Sequence, residues 1–205
     1  MGRLYTIGYS GHDMRGFIRL LAASHVDVVC DVRSTPYSNY KPDFSRAPLK
    51  GHLNSAGMKY VFLGDKLGAR PKDRSCYVAG QATYARIAGS EFFAEGLARL
   101  REGVSKLNLA LVCSESDPIE CHRAVLVCRN LRDLSSRICH IHSDGKLETQ
   151  DDFDERLVNM HNTAPPPLLR NPAQWGNAVA TAYAKQSEAI AYRERYPGPD
   201  SEDAA

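Results

Sequence analysis

The chain has 205 residues, with 26 Lys and Arg against 24 Asp and Glu and a net charge of +2. That length suits one α/β core with an appendage rather than two full domains, and so small a net charge excludes a general polycation, leaving only local patches for anionic partners. No apolar run approaches the roughly 18 residues that cross a bilayer, and six cysteines spread over a chain of ordinary size do not make a secreted disulfide framework. A cytoplasmic protein with free thiols and no membrane partner is expected.

"LYTIGYSGH" opens as a β-rich run and ends in Gly8, Ser10 and Gly11, after which Asp13 caps a helix through "MRGFIRLLAAS". "VDVVCDVR" is the near-continuous apolar run of a strand covered on both faces, ending in Asp31 and Arg33. Residues 34–50, "STPYSNYKPDFSRAPLK", read as a long structured loop because of their prolines, aromatics and Ser/Asn content. "GHLNSAG" reads as a short helix closed by Gly57, and "MKYVFLG" as a third strand. "DKLGARPKDRSCYVAGQ" is irregular and basic, and "YARIAGSEFFAEGLARLREGV" has the spacing of one amphipathic helix.

"LNLALVCSE" is a fourth buried strand. "DPIECHRAVLVCRNLRDLSS" then carries the clearest helix start in the chain, with Asp117 as N-cap, Pro118 at the first position and Glu120 where a capping box needs a carboxylate. "RICHIHSDG" gives a fifth strand. Past residue 160, "NTAPPPLLRNP" is a proline-rich connector, "AQWGNAVATAYAKQSEAIAYRERY" one helix bearing the sole tryptophan, Trp175, and "PGPDSEDAA" a disordered tail. The expected architecture is a three-layer α/β sandwich around a mainly parallel, Rossmann-like sheet of about five strands. Residues 1–160 would form the α/β domain and 161–205 an appendage whose helix docks on that domain or on a second copy as a homo-oligomer.

In such sheets ligands bind beyond the carboxyl ends of the strands, and the chemistry-bearing residues fall at those ends. Cys113 ends a strand just before a helix N-terminus, where an anionic thiolate is favoured, so it reads as a nucleophile or as a small buried residue. Glu115 and His122 are the candidate proton-transfer groups, and Arg33 and Arg123 the candidate anion clamps. Asp31 reads better as a brace for Arg33 than as a base. Cys121 either lies over Val125 and Cys128 on the core face or turns to the crevice. Cys30, Cys128 and Cys139 read as packing. Ser10 and His12 follow a glycine turn that could cradle a phosphate. Tyr37, Tyr40, Phe44 and Arg46 could stack on and clamp a base, and Arg46, Arg70 and Arg74 form a basic set for nucleic acid. A zinc site from Cys113, Cys121, His122 and His12 is chemically conceivable, but the C-x7-C-H spacing lacks paired ligand knuckles, so no metal or other cofactor is expected.

"TIGYSGH", "DVRSTPYS", "MKYVFLGDKLG", and above all "ALVCSESDPIECHR" followed by "HIHSDG", resemble the bacterial and archaeal family named domain of unknown function 488, over roughly residues 4–146. The family's Cys, nearby Glu and following Cys-His-Arg would fall on Cys113, Glu115, Cys121, His122 and Arg123, and its early Asp-x-Arg on Asp31 and Arg33. The resemblance brings no particular activity with it. A weaker similarity links "DVR" and the strand-end cysteine to rhodanese-type sulfurtransferases, although Arg123, ten residues beyond Cys113, does not suit their anion-cradling loop. The expectation is an enzyme-like crevice for an anionic substrate, a nucleotide or nucleic-acid end. A non-catalytic nucleic-acid module and a sulfurtransferase are the alternatives.

Overall fold

A computed structural model describes residues 2–169 and 171–194. The tail expected to be disordered lies outside the described residues. Among the described residues, no helix is long and apolar enough to cross a membrane.

Six strands form the main sheet: β1 (Leu4–Gly8), β2 (Val28–Asp31), β3 (Lys59–Phe62), β6 (Leu109–Cys113), β7 (Ile138–Ile141) and β8 (Leu147–Thr149), in the order β3-β2-β6-β1-β7-β8. All neighbours pair in parallel except β7 with β8. The antiparallel edge strand β8 is an addition to the five strands read from the sequence. A separate hairpin pairs β4 (Tyr77–Val78) with β5 (Gln81–Ala82). The sandwich and its mainly parallel sheet are as expected.

Strand residues alternate between two cores, as a period of two requires. Leu109, Leu111 and Cys113 join one apolar cluster, and Ala110 and Val112 the other. The second cluster is covered by α1 (Met14–Ala23) through Phe17 and Leu21 and by α2 (Arg46–Ser55) through Leu49 and Leu53. The first is covered by α5 (Glu91–Val104) and by residues 123–131, and it extends to α6 (Gln150–Met160) and α7 (Pro172–Ile190).

Several element readings change. The loop after β2 is shorter than 34–50, because α2 begins at Arg46, where the sequence reading kept a loop and a helix only from Gly51. The long amphipathic helix is two helices, α4 (Tyr84–Ala88) and α5, broken at Gly89 and Ser90, whose hydroxyl caps α5 through Phe93 N. The short α3 (Gly64–Leu67) and the β4–β5 hairpin occupy the stretch taken as irregular.

The largest change follows β6. Asp117 does cap Ile119 N, but only a single 3-10 turn results, Pro118–Glu120. Cys121 is then extended (φ −136°, ψ 136°), followed by a π-helical segment, Arg123–Val127, and a kinked 3-10 stretch, Cys128–Arg137.

The helix α7 packs on the sheet's helical layer. Ala178, Val179, Ala182 and Tyr183 on α7 belong to the same buried cluster as β6, and Gln186 donates to the Ile119 carbonyl at 3.0 Å. α7 therefore docks on its own domain. The helix α6 that receives it, anchored by a Thr149/Asp152 capping box, has no counterpart in the sequence reading.

Candidate functional site

The crevice lies beyond the carboxyl ends of β2 and β6, where an α/β sheet places its ligands. It is a cavity of about 390 Å³, lined by Arg33, Ser34 and Thr35 after β2, by Cys113, Ser114 and Glu115 after β6, by Glu120 and His122, by Arg70 and Tyr84, and by Ile190 and Tyr192 from the C-terminal segment. That volume suits a small molecule rather than a folded partner.

Three of these side chains, Cys113, Glu115 and His122, meet a fourth, Cys121, that is buried behind the wall. Glu115 Oε2 lies 3.1 Å from Cys113 Sγ and 3.0 Å from Cys121 Sγ. The same sulfurs lie 3.7 and 3.9 Å from His122 Nδ1. On its far side His122 Nε2 is 3.0 Å from the Val32 carbonyl oxygen, which can only accept, so Nε2 carries a proton and Nδ1 is the nitrogen turned to the two sulfurs. The extended backbone at Cys121 makes this possible, turning its thiol toward Cys113 instead of along the helix row of Val125 and Cys128.

Cys113, Cys121 and His122 are buried, Glu115 is the exposed member, and the four act on one another's charge. The hydrogen bond with Cys121, together with burial, pushes the Cys113 thiol well above its ordinary value. Burial opposes ionisation of Cys121 as well, but the hydrogen bond from Cys113, the Arg123 guanidinium and His122 outweigh it and hold that thiol well below its usual range. Burial, then the Cys121 charge, raises the Glu115 carboxyl. For His122 burial lowers the affinity for a proton, and contact with Cys121 more than reverses it.

Arg33 is almost fully buried and grips Asp31 with two bonds, Nε to Oδ1 at 2.8 Å and Nη2 to Oδ2 at 2.6 Å, while Tyr60 donates to Oδ2 at 2.8 Å. Asp31 is thus the brace the sequence suggested. The remaining Arg33 nitrogen, Nη1, is buried with no hydrogen-bond partner among the described residues. The Tyr9 ring lies against the guanidinium, 5.0 Å from its centroid.

Arg123 is placed differently from the anion clamp read in the sequence. It is fully buried and absent from the cavity wall. Its Nη1 donates to the Glu115 carbonyl at 2.7 Å, Nη2 to the Ser116 carbonyl at 3.0 Å and Nε to Thr6 Oγ1 at 3.3 Å. It braces the loop that presents Glu115.

Ser10 and His12 lie along a neighbouring groove with Lys41 and Phe44, apart from the Cys113 cluster. His12 is therefore not a member of the thiol and imidazole group that the zinc reading joined it to. Lys41 fills the turn after β1 by donating to the Ser10 and His12 carbonyls at 2.7 and 2.6 Å. Of the loop aromatics, Tyr37 lines the cavity, Phe44 is buried and stacked on Tyr9 at 4.6 Å, and Tyr40 stands in solvent. Of the basic set, Arg70 lines the cavity over the Tyr192 ring, Arg46 lies over Phe62, and Arg74 is held by Glu194. Cys30 and Cys128 are packing, and burial pushes the Cys30 thiol up to about 12.

Two contributors escaped the sequence. Gly8 ends β1 where a Cβ would collide with the Glu115 carbonyl, so only glycine lets that loop close. Arg156 on α6 holds Asp117 with two bonds of 2.9 and 3.0 Å and also reaches Glu148. Gly8 was visible only as a turn residue, and Arg156 lay in a stretch with no element assigned.

Residues 13–129, more than half of the chain, match a family model described as Domain of unknown function DUF488. That span covers Asp31, Arg33 and the whole Cys113–Arg123 run but stops short of "HIHSDG". No curated protein and no solved structure matches the chain, and the rhodanese likeness gains no support.

Proposed function

The chain belongs to the DUF488 family, and from its crevice we propose an enzyme that takes a phosphate-bearing substrate of nucleotide size and moves a proton on it with Glu115. The observation that carries this reading is Arg33: a nearly buried guanidinium lining the same cavity as Cys113, Glu115 and His122, with Nη1 unpaired among the described residues. A buried donor without an acceptor is costly, and an anionic oxygen is the acceptor that best repairs it.

Arg70 supplies the second, more exposed cation, and Tyr37, Tyr84 and Tyr192 give the cavity aromatic walls. Glu120 and Glu115 also face the cavity, so its field is mixed. The arginines place the anionic group, and Glu115, fixed between two sulfurs and braced from behind by Arg123, works on a proton near it. All six cysteines are free, as suits the reducing cytosol proposed for this protein.

The non-catalytic nucleic-acid module has less behind it, because members of the basic set are engaged within the protein: Arg74 is held by Glu194 and Arg46 lies over Phe62. Calorimetric titration with inorganic phosphate and nucleoside monophosphates tests the proposal. Arg70→Ala is expected to weaken binding by roughly tenfold, the order lost with one charge-assisted bond. Glu115→Gln should keep binding and abolish turnover of phosphate esters. No binding of either ligand at millimolar concentration and low salt sinks the reading.

A further inference from the structure

Cys113 Sγ, Cys121 Sγ and His122 Nδ1 lie within 4.8 Å of one another in a buried group. In a tetrahedral zinc site with Zn–S near 2.3 Å and Zn–N near 2.0–2.1 Å, a sulfur and a nitrogen ligand stand about 3.6 Å apart. The two sulfur-to-nitrogen separations here are 3.7 and 3.9 Å. We propose that Cys113, Cys121 and His122 form a three-ligand Zn²⁺ site whose fourth position opens on the crevice.

Three further features fit. The Val32 carbonyl fixes the His122 tautomer so that Nδ1 offers its lone pair, which is how outer-shell acceptors orient metal-binding imidazoles. Arg123 is fully buried and its hydrogen bonds end on two carbonyls and a hydroxyl, none of them a carboxylate. Two thiolates and the Glu115 carboxylate would place three negative charges in front of it, and a divalent cation with Arg123 brings that sum to zero. Cys113 and His122 reach the cavity wall, as does Glu115. An ion on this triad would therefore keep one position toward the crevice, the pattern of catalytic rather than structural zinc.

Loading is balanced by the release of two protons to solvent: Cys113 gives up its thiol proton, and the proton that Cys121 and His122 hold between them leaves as sulfur and Nδ1 bond the ion. The ligand set stands on its own geometry. Its part in the reaction rests on the reading of the crevice given above, with Glu115 placed to take a proton from a water on the fourth position.

The test is metal binding by the full chain, stripped of metal and titrated with Zn²⁺ and with Co²⁺ against a chromophoric chelator. One ion per chain is expected, with a thiolate-to-cobalt charge-transfer band and intense tetrahedral ligand-field bands. X-ray absorption of the zinc form should give two sulfur and one or two nitrogen or oxygen neighbours. Cys121→Ser should weaken zinc binding at least tenfold, with circular dichroism confirming the fold. Because a serine variant can misfold, alkylation of the native chain is the second measurement: Cys113 and Cys121 should resist the reagent when loaded and react once zinc is chelated.

No uptake by folded protein at micromolar zinc, or zinc held without sulfur, overturns the proposal. Phosphate titration of both forms separates the two readings. Zinc without phosphate binding removes the anion crevice and keeps the metal site, and phosphate without zinc does the reverse.

Discussion

Arg123→Met separates two roles for the same residue. Had Arg123 been an anion clamp at the crevice, its loss would weaken ligand binding and leave the fold alone. The structure instead buries it completely, with its bonds directed at the carbonyls of Glu115 and Ser116 and at Thr6. Methionine keeps much of the unbranched volume and leaves no orphaned charge. Thr6 keeps a second partner, His140 Nδ1 at 2.9 Å, so the loss falls on two part-buried carbonyls. An unsatisfied buried group costs about 1–3 kcal/mol, and at the low end of that range for two part-buried carbonyls the variant should be destabilised by about 2 kcal/mol, a sizeable share of the 5–15 kcal/mol typical of a domain. Urea unfolding followed by circular dichroism reads it as a shift in midpoint at constant slope. A loss below about 1 kcal/mol would refute the brace, and the more so if phosphate binding fell at the same time.

The remaining predictions concern the frame of the site. Gly8→Ala should force the Glu115 loop away from β1, because the new methyl meets backbone rather than a flexible side chain. A cost of about 2–3 kcal/mol, or a melting temperature lower by roughly 5–10 °C, is expected by scanning calorimetry, and a variant within about 2 °C of wild type would show that the contact is not tight. His140, fully buried against Phe153, is held neutral, its pKa lowered to about 3 from 6.5 by burial first and by the Arg123 charge second. The unfolded chain takes up that proton first, so this contribution is intact above about pH 6.5 and is lost as pH falls toward 3. The loss runs at about 1.4 kcal/mol per pH unit. Unfolding free energies at a series of pH values should show a shallower slope for His140→Gln than for wild type, and equal slopes would contradict the assignment.

Legibility of the fold followed how local its signals are. The strands β1, β2, β6 and β7 announced themselves as apolar runs, and Asp13 capped α1 as read, accepting from Gly16 N at 2.7 Å. Helix α2 is masked in the sequence by Pro48, a residue type common in loops. It is the third helical residue, where a missing N–H costs nothing because no intrahelical acceptor exists there. The break between α4 and α5 was legible in hindsight from Gly89-Ser90, a helix stop followed by a cap. The start of helix α6 is written in the sequence as a Thr149-x-x-Asp152 box.

The site residues were legible as a set, and their geometry was not, for a reason that lies in Cys121. Asp117, Pro118 and Glu120 are sound helix-start signals, and a helix from there would stack Cys121 over Val125 and away from Cys113. What stops that helix is not local. Arg156, 39 residues downstream, holds Asp117 by both carboxylate oxygens, and the Arg123 side chain turns back to carbonyls seven and eight residues upstream. With the chain pinned at both ends the intervening residues extend at Cys121, and one residue out of helical register carries its thiol to Cys113 and Glu115. Local capping rules cannot see partners 39 residues away, so the convergence of two sulfurs, a carboxylate and an imidazole had to come from tertiary structure.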